Sequence, residues 1–422
     1  MEAMSIDFFT EQAKRLSVAG KADVVVAGGG PAGVAAAVTA ARLGCSVIVL
    51  ESSSMPGGIM TSGLMSNVID AAGKGGFLKE MLDYLEAQGA GGDYNSYEPE
   101  VVKHFFDLAL TQNKIRIRYN TLVVSVIKDA DRISAVVTES PSGREAFVGD
   151  VYVDCTGNGT LAYHAGCDYE CGAPDTGAPQ AASLCAVCCG VSAGRIPDYC
   201  KQAGDIGKLT LLHQLEKFGC SPSYRMPTLF RVKDAEYLLM SNHEYNIHPD
   251  DADAISAALT HARLEIFEQI ETLKKNVPEF GGLCLVTTAS ALGLREGRRI
   301  RTRYWLTAED LRVGRCHDDA ICRVNVAVDI HRSVENQQSG YDNGGIISKP
   351  YDIPLRSLQS LQCSNLLLGG RCIGGDFYAH STYRVLGNAI PTGAAAGRAA
   401  AAAAKMKKTA SQITFDDFCG VQ

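Results

Sequence analysis

Three consecutive glycines, Gly28, Gly29 and Gly30, stand between a buried-looking apolar run and an alanine-rich stretch. Ala22 to Val26 is β-branched or small apart from Asp23, Pro31, Ala32 and Gly33 complete the turn, and Val34 to Leu43 runs on to a stop at Gly44. This order predicts strand, phosphate turn and helix. Gly28 permits the tight turn, Gly30 lets backbone approach a pyrophosphate, and Gly33 lets helix pack closely on strand. The helix start then offers unpaired N–H groups to an anion. Cys45 to Leu50 predicts a second strand ending at Glu51, 18 residues after Gly33, where a carboxylate accepts hydrogen bonds from an adenosine ribose. A dinucleotide site is expected, and the glutamate argues against a ribose 2′-phosphate.

A chain of 422 residues exceeds one small core. Its net charge of -7 argues against a nucleic-acid partner, which needs clustered Lys and Arg. One run is locally basic: the five arginines from Arg295 to Arg303 would hold an acidic substrate or form a solvated helix face. No apolar stretch of about 18 residues occurs, so no membrane span is expected. Met1 to Gly20 lacks a signal-peptide layout and reads as an amphipathic leader helix, giving a cytoplasmic expectation. Cys167, Cys171, Cys185, Cys188 and Cys189 invite a metal-cluster reading. However, Ser183 to Cys189 predicts a strand, in which residues three apart face opposite ways. Buried reduced thiols, no metal and a reducing compartment are therefore expected.

Downstream, Gly57 and Gly58 precede Thr61, and Val101 to Leu110 has helical period. Short strands are predicted at Ile115–Tyr119, Leu122–Lys128, Arg132–Thr138 and Glu145–Val153, an antiparallel meander ending in Asp154, Cys155, Thr156 and Gly157. Strands thin out after about Gly166, and a helix is expected over Asp251–Asn276. The nucleotide-binding pattern resumes at Asn365–Leu368, followed by Gly369 and Gly370, then Gly387, Asn388 and Ala389 before a helix from Pro391 to Lys405. The expected fold class is α/β: a Rossmann-type domain in discontinuous segments, 1–165 and 350–422, with an inserted α+β substrate domain at 166–349. Widely separated glycine turns suit FAD better than a nicotinamide, because an extended FAD meets several backbone segments. A C-terminal helix start would present positive dipole to the flavin pyrimidine edge.

These motifs resemble the FAD-dependent oxidoreductases of the glutathione-reductase-like Rossmann flavoproteins, in the bacterial group related to the tRNA-modifying GidA proteins and the heterodisulfide reductase flavin subunit. The resemblance rests on Gly28 to Gly33 with Glu51, Gly57-Gly58 with Thr61, the Asp154 to Gly157 turn, Arg295 to Thr307, Tyr351 to Leu358, and Leu368 to Ile373 through Gly397. It implies that Gly28, Gly30, Pro31, Ala32 and Gly33 line the pyrophosphate and that Glu51, with Ser52 beside it, takes the ribose. Gly57, Gly58 and Thr61 would pass near the flavin, Thr156 and Gly157 near the adenosine half, and Gly370 beside the cofactor. Val124 would contact adenine through its backbone, Asp376 the ribityl chain or a pyrophosphate water, and Gly387, Asn388 and Ala389 the pyrimidine edge.

Tyr378 to Arg384 lies between two flavin turns and carries a base, phenols and a cation. His380 is the candidate base, since proton removal suits a group of near-neutral pKa. Arg384 is the candidate for a substrate carboxylate, Tyr383 for a proton relay, and Arg295 and Arg356 for further anion binding. The expected activity is hydride transfer between a small polar or carboxylated metabolite and bound FAD, with an unidentified electron acceptor. A non-redox flavin-dependent hydratase, isomerase or lyase, and a flavin electron-transfer subunit of a larger complex, are the alternatives. Homo-oligomerisation is left open.

Overall fold

The run Val24-Val25-Val26 is buried on both faces, as a central parallel strand requires. In the computed structural model, which describes residues 9, 11–331 and 342–422, it anchors β1 (Ser17–Ala27). There follow α1 (Pro31–Arg42), β2 (Val47–Leu50), α2 (Gly76–Ala87), α3 (Pro99–Gln112), β3 (Arg116–Arg118), β4 (Leu122–Asp129), β5 (Arg132–Ser140) and β6 (Gly143–Asp154). These strands join one sheet in the order β3-β2-β1-β6-β5-β4. β1, β2, β3 and the β1–β6 pair are parallel, whereas β4, β5 and β6 form an antiparallel meander. The single segment β1 to β2 thus delivers the first turn to the carboxyl end of a parallel sheet, where such folds bind ligands.

The chain continues through α4 (Thr160–His164), β7 (Tyr169–Glu170), β8 (Cys185–Cys189), α5 (Gly204–Lys217), β9 (Thr228–Lys233), β10 (Glu236–Met240), α6 (Ala252–Asn276) and β11 (Cys284–Thr288). Four of these strands make an antiparallel sheet in the order β11-β8-β10-β9. α6 buries Ala258, Ala262, Ile266, Ile270 and Leu273, a stripe at helical spacing. Then come β12 (Arg299–Ile300), α7 (Ala308–Val313), β13 (Ala320–Val324), β14 (Tyr351–Pro354), β15 (Leu366–Leu368), α8 (Phe377–Tyr383), α9 (Leu386–Met406) and α10 (Phe415–Gly420). β15 returns to pair in parallel with β6, so the dinucleotide-type domain is discontinuous. α9 lies tightly on α1: a Cβ at Gly393 would stand 2.1 Å from Ala32 O, and one at Gly397 2.1 Å from Ala36 O. Only glycine permits that approach.

Two apolar cores result. One unites the main sheet, α1, α3 and α9, and includes residues between Ile300 and Ile346. The other spans Ala182 to Leu292 and takes in Leu64. The fold is the α/β Rossmann-like arrangement with an inserted α+β region that the sequence leads one to expect. Residues 1–8 and 10 of the predicted leader helix lie outside the described residues; of the rest, 11–16 take no regular structure and Ser17 to Gly20 extend β1 instead. The arginine run is no helix either: Arg299 and Ile300 form β12 with β7, while Arg298 pairs with Asp250 and Arg299 with Glu296 and Glu170. In β8, Cys185 pairs with Met240 and Cys188 with Tyr237, so these two thiols leave opposite faces of the strand.

Candidate functional site

Three glycine turns converge at the start of α1. A Cβ at Gly33 would lie 1.8 Å from Gly28 O, which fixes glycine there, whereas one at Gly30 meets nothing within 4 Å. Gly57 N–H donates to Gly29 O at 2.8 Å, and a Cβ at Gly58 would stand 3.2 Å from Gly30 Cα. Gly370 abuts Ala32 from the other side. Pro31 occupies the first turn of α1, and Gly30 at the N-cap supplies no side-chain acceptor to the first N–H groups. Open backbone space facing an uncapped helix start fits a pyrophosphate.

Glu51 is buried, accepting from Gly29 N–H at 2.6 Å and Ser53 N–H at 2.7 Å. Its carboxylate is held rigidly and keeps lone pairs for a ribose; exposed Ser52 touches it at 3.4 Å. Val124 lies at a register shift between Val123 and Ser125, which takes its backbone out of the β4–β5 ladder. Thr61 is buried, donating to Pro56 O. Thr156 and Gly157 are braced, Thr156 by Asp154 and Gly157 O by the Arg371 Nε–H at 3.0 Å.

Asp376 is also the N-cap of α8: Oδ1 accepts from Tyr378 and Ala379 N–H and Oδ2 from Ala308 N–H, which leaves one Oδ2 lone pair for a ribityl hydroxyl or a water. Several expected roles need correction. Gly387 N–H is taken by Ile69 O, and a Cβ there would lie 2.1 Å from Asp70 O. Asn388 is buried between Thr382 O and Lys74, and Ala389 N–H closes on Val385 O. Ile69 to Lys74 therefore covers the start of α9. Tyr383 is no relay, because its hydroxyl is buried and donates to Ile373 O at 2.9 Å. Arg356 is exposed, forked onto Asp319 at 2.9 and 3.0 Å and resting over Tyr304.

Arg295, Arg384 and His380 do come together, with partners that sequence reading missed. Where the two cores meet, the His243 Nε2 and His331 Nδ1 atoms are 3.2 Å apart. The His331 Nε2 lies 3.5 Å from Asp329 Oδ2, and the Tyr224 ring packs 4.1 Å from the His243 ring. Arg384 donates to Asp329 O at 2.9 Å and lies 3.4 Å from its carboxylate. Gln180 Oε1 accepts from His331 N–H, and its Nε2 donates to Glu296, which pairs with Arg299. Arg295 donates to Ala181 O and Ser183 Oγ. His380 is wholly enclosed, 3.9 Å from Glu296, with neither ring nitrogen partnered. No local periodicity marks His243, His331, Asp329, Tyr224 or Gln180, because all five lie in segments outside the helices and strands.

Burial dominates the electrostatics. It pushes the His331 imidazole down to about 4, aided by the Arg295 charge and opposed by Asp329. Burial and the Arg295 charge drive His243 far below its ordinary value, and burial with Arg299, Arg384 and Arg371 does the same to His380. Burial works against the Asp329 carboxylate, but His331, Arg384 and Arg295 outweigh it and keep it well below the usual range. The Arg295 guanidinium is lowered to about 10 by burial and by Arg384. At neutral pH this is a set of neutral imidazoles among cations. A cleft of about 750 Å³ beside α9, lined by Arg42, Lys74, Phe77 and Arg398, shares none of these residues.

A Rossmann-like sheet with its glycine turns gathered on one helix start, and a buried polar cluster beside it, defines a flavoprotein of the oxidoreductase type. The sequence model of the family described as FAD dependent oxidoreductase matches residues 23–420, and the chain belongs to that family. It is an FAD-dependent enzyme. No curated protein matches the sequence. Among solved structures, the flavin-dependent brominase Bmp2 is similar over 94% of this chain and 83% of its own, at 13% identity and a TM-score of 0.51. A geranylgeranyl bacteriochlorophyll reductase-like protein from Thermoplasma acidophilum covers 94% and 82%, at 11% identity and a TM-score of 0.46. p-Nitrophenol 4-monooxygenase PnpA from Pseudomonas putida DLL-E4 covers 92% and 81%, at 13% and 0.47. The brominase likeness concerns the fold alone. No helix among the described residues is long and apolar enough to cross a membrane.

Proposed function

We propose that this enzyme moves a hydride between a small carboxylated metabolite and FAD at the His243, His331 and Arg384 cluster, with 166–349 as substrate domain. The observation that carries the reading is a buried excess of positive charge. Arg384 has Asp329 as its carboxylate, Arg295 has none within ion-pair distance among the described residues, and Arg384 Nε is buried without a partner. A substrate carboxylate would balance that charge through forked hydrogen bonds.

Gly30, Gly33, Glu51, Gly58 and Gly370 would hold the cofactor, which when bound supplies a two-electron acceptor or donor. Arg295 and Arg384 bind and orient the substrate. His331, neutral and steered by Asp329 at Nε2, exchanges a proton through Nδ1 with His243 Nε2. His380 is a second candidate acceptor, favoured by its two unpartnered nitrogens. The test is single-turnover flavin reduction in His331→Gln and His380→Gln. Loss of about 10²-fold or more in one variant assigns the proton, and full rates in both would refute the cluster. The kinship with GidA and the heterodisulfide reductase flavin subunit is proposed on the motifs given above, of which Tyr351 to Leu358 and Leu368 to Ile373 are the more specific. Cytoplasmic location is proposed from the fifteen free cysteines.

A further inference from the structure

On the outer side of the segment that carries His243, a second group of ligand-type side chains gathers. His261 and Glu265 stand one helical turn apart on α6, and Glu244 follows β10 directly after His243. One ligand atom from each of the three lies within 4.8 Å of the others, and His261 Nδ1 is 3.0 Å from Glu244 Oε1. Gln269, a further turn along the same face of α6, reaches Glu265 Oε1 through Nε2 at 3.1 Å. Its own Oε1 is buried with no partner in a residue only 1% exposed, and a half-turn of the amide would bring that oxygen to where Nε2 now meets Glu265.

We infer that Glu244, His261 and Glu265 form a binding site for a divalent first-row cation, with the Gln269 amide in reserve as a fourth donor. One imidazole and two carboxylates suit Zn²⁺ or Mn²⁺. Around a tetrahedral ion with bonds of about 2.1 Å, ligand atoms sit about 3.4 Å apart, so the observed spacing closes by small side-chain rotations. Glu244 is buried and anchored by Asn242, and Glu265 is fixed by the Ser223 N–H at 2.6 Å and the Ser223 hydroxyl at 2.8 Å, so both carboxylates are oriented in advance. His261 lies toward solvent and supplies the entry path. An ion here would clamp α6 to the strand end that presents His243, although binding itself needs none of the proposed chemistry.

The probe is Mn²⁺, which has little affinity for the many thiols. FAD-loaded enzyme, dialysed against chelator, is titrated with MnCl₂ while the paramagnetic resonance of the free ion is followed. Wild type is expected to remove one equivalent of signal, and Glu265→Gln and His261→Ala to bind at least about tenfold more weakly. Both variants keep the bound FAD, so any manganese on its phosphates subtracts out. Glu265→Gln retains an acceptor for Ser223 and guards against misfolding, checked by its flavin spectrum. Equal binding by wild type and both variants, or no uptake by wild type, would overturn the site. Neither result bears on hydride transfer.

Discussion

Replacing Gly30 by alanine separates cofactor binding from folding. Gly30 has φ -66° and ψ -179°, a conformation alanine adopts without strain, and its Cβ would meet no atom within 4 Å. The Val34 N–H bond to Gly30 O at 2.9 Å survives, so the folded protein should be as stable as wild type. The methyl group instead enters the open space before the first turn of α1, where the pyrophosphate must approach. Displacing the phosphate from one charge-assisted N–H bond costs about 1.5–3 kcal/mol, or roughly 10- to 150-fold in affinity. FAD titration of apoprotein by fluorescence quenching, alongside thermal melts of both apoproteins, reads the two quantities separately. Wild-type affinity in Gly30→Ala would refute the placement of the pyrophosphate. Weakened FAD binding with an equally depressed melting temperature of the apoprotein would refute the claim that the space is structurally free.

Gly393→Ala should instead destabilise the protein by several kcal/mol, because its Cβ would drive into Ala32 O at 2.1 Å; chemical denaturation checks this. Arg384→Gln is expected to lower kcat/KM for a carboxylated substrate by about 10- to 100-fold and to leave the neutral amide of that substrate almost unaffected, as steady-state kinetics would show. His331 is neutral when folded and held at about 4, so the unfolded chain, near 6.5, binds more protons between those values. Its contribution is fully present above pH 6.5 and is lost as pH falls through 4, about 3 kcal/mol in all. His331→Gln should flatten that part of the stability–pH curve in urea titrations.

What could be read from the chain alone was whatever is local. The β1, turn, α1, β2 unit and Glu51 fall within one continuous stretch, and β-branched runs with glycine stops specify it without help from elsewhere. The return of the chain to the nucleotide domain was also legible, since Leu366 to Leu368 repeats the same buried-strand-then-glycine pattern; its pairing with β6 was not. The buried histidine cluster was not, because Tyr224, His243, Asp329 and His331 meet only when the two cores pack together. Arg356 pointed toward substrate by type, yet Asp319 lies across the β13–β14 hairpin and takes both arms of its guanidinium. Asp376 carried a second readable signal beside the motif likeness: an aspartate just ahead of a short helical run is an N-cap. At Gly387 the competing Ile69 carbonyl comes from a distant loop, which no spacing rule reveals.

The most direct measurement is anaerobic mixing of the FAD-loaded enzyme with hydroxy acids, amino acids and unsaturated acids, each alongside its neutral amide, while the visible flavin band is recorded. The account predicts a change of flavin redox state with at least one acid and little with its amide, and loss of that preference in Arg384→Gln. Flavin reduction that is indifferent to the carboxylate, or that persists unchanged in Arg384→Gln, would contradict it.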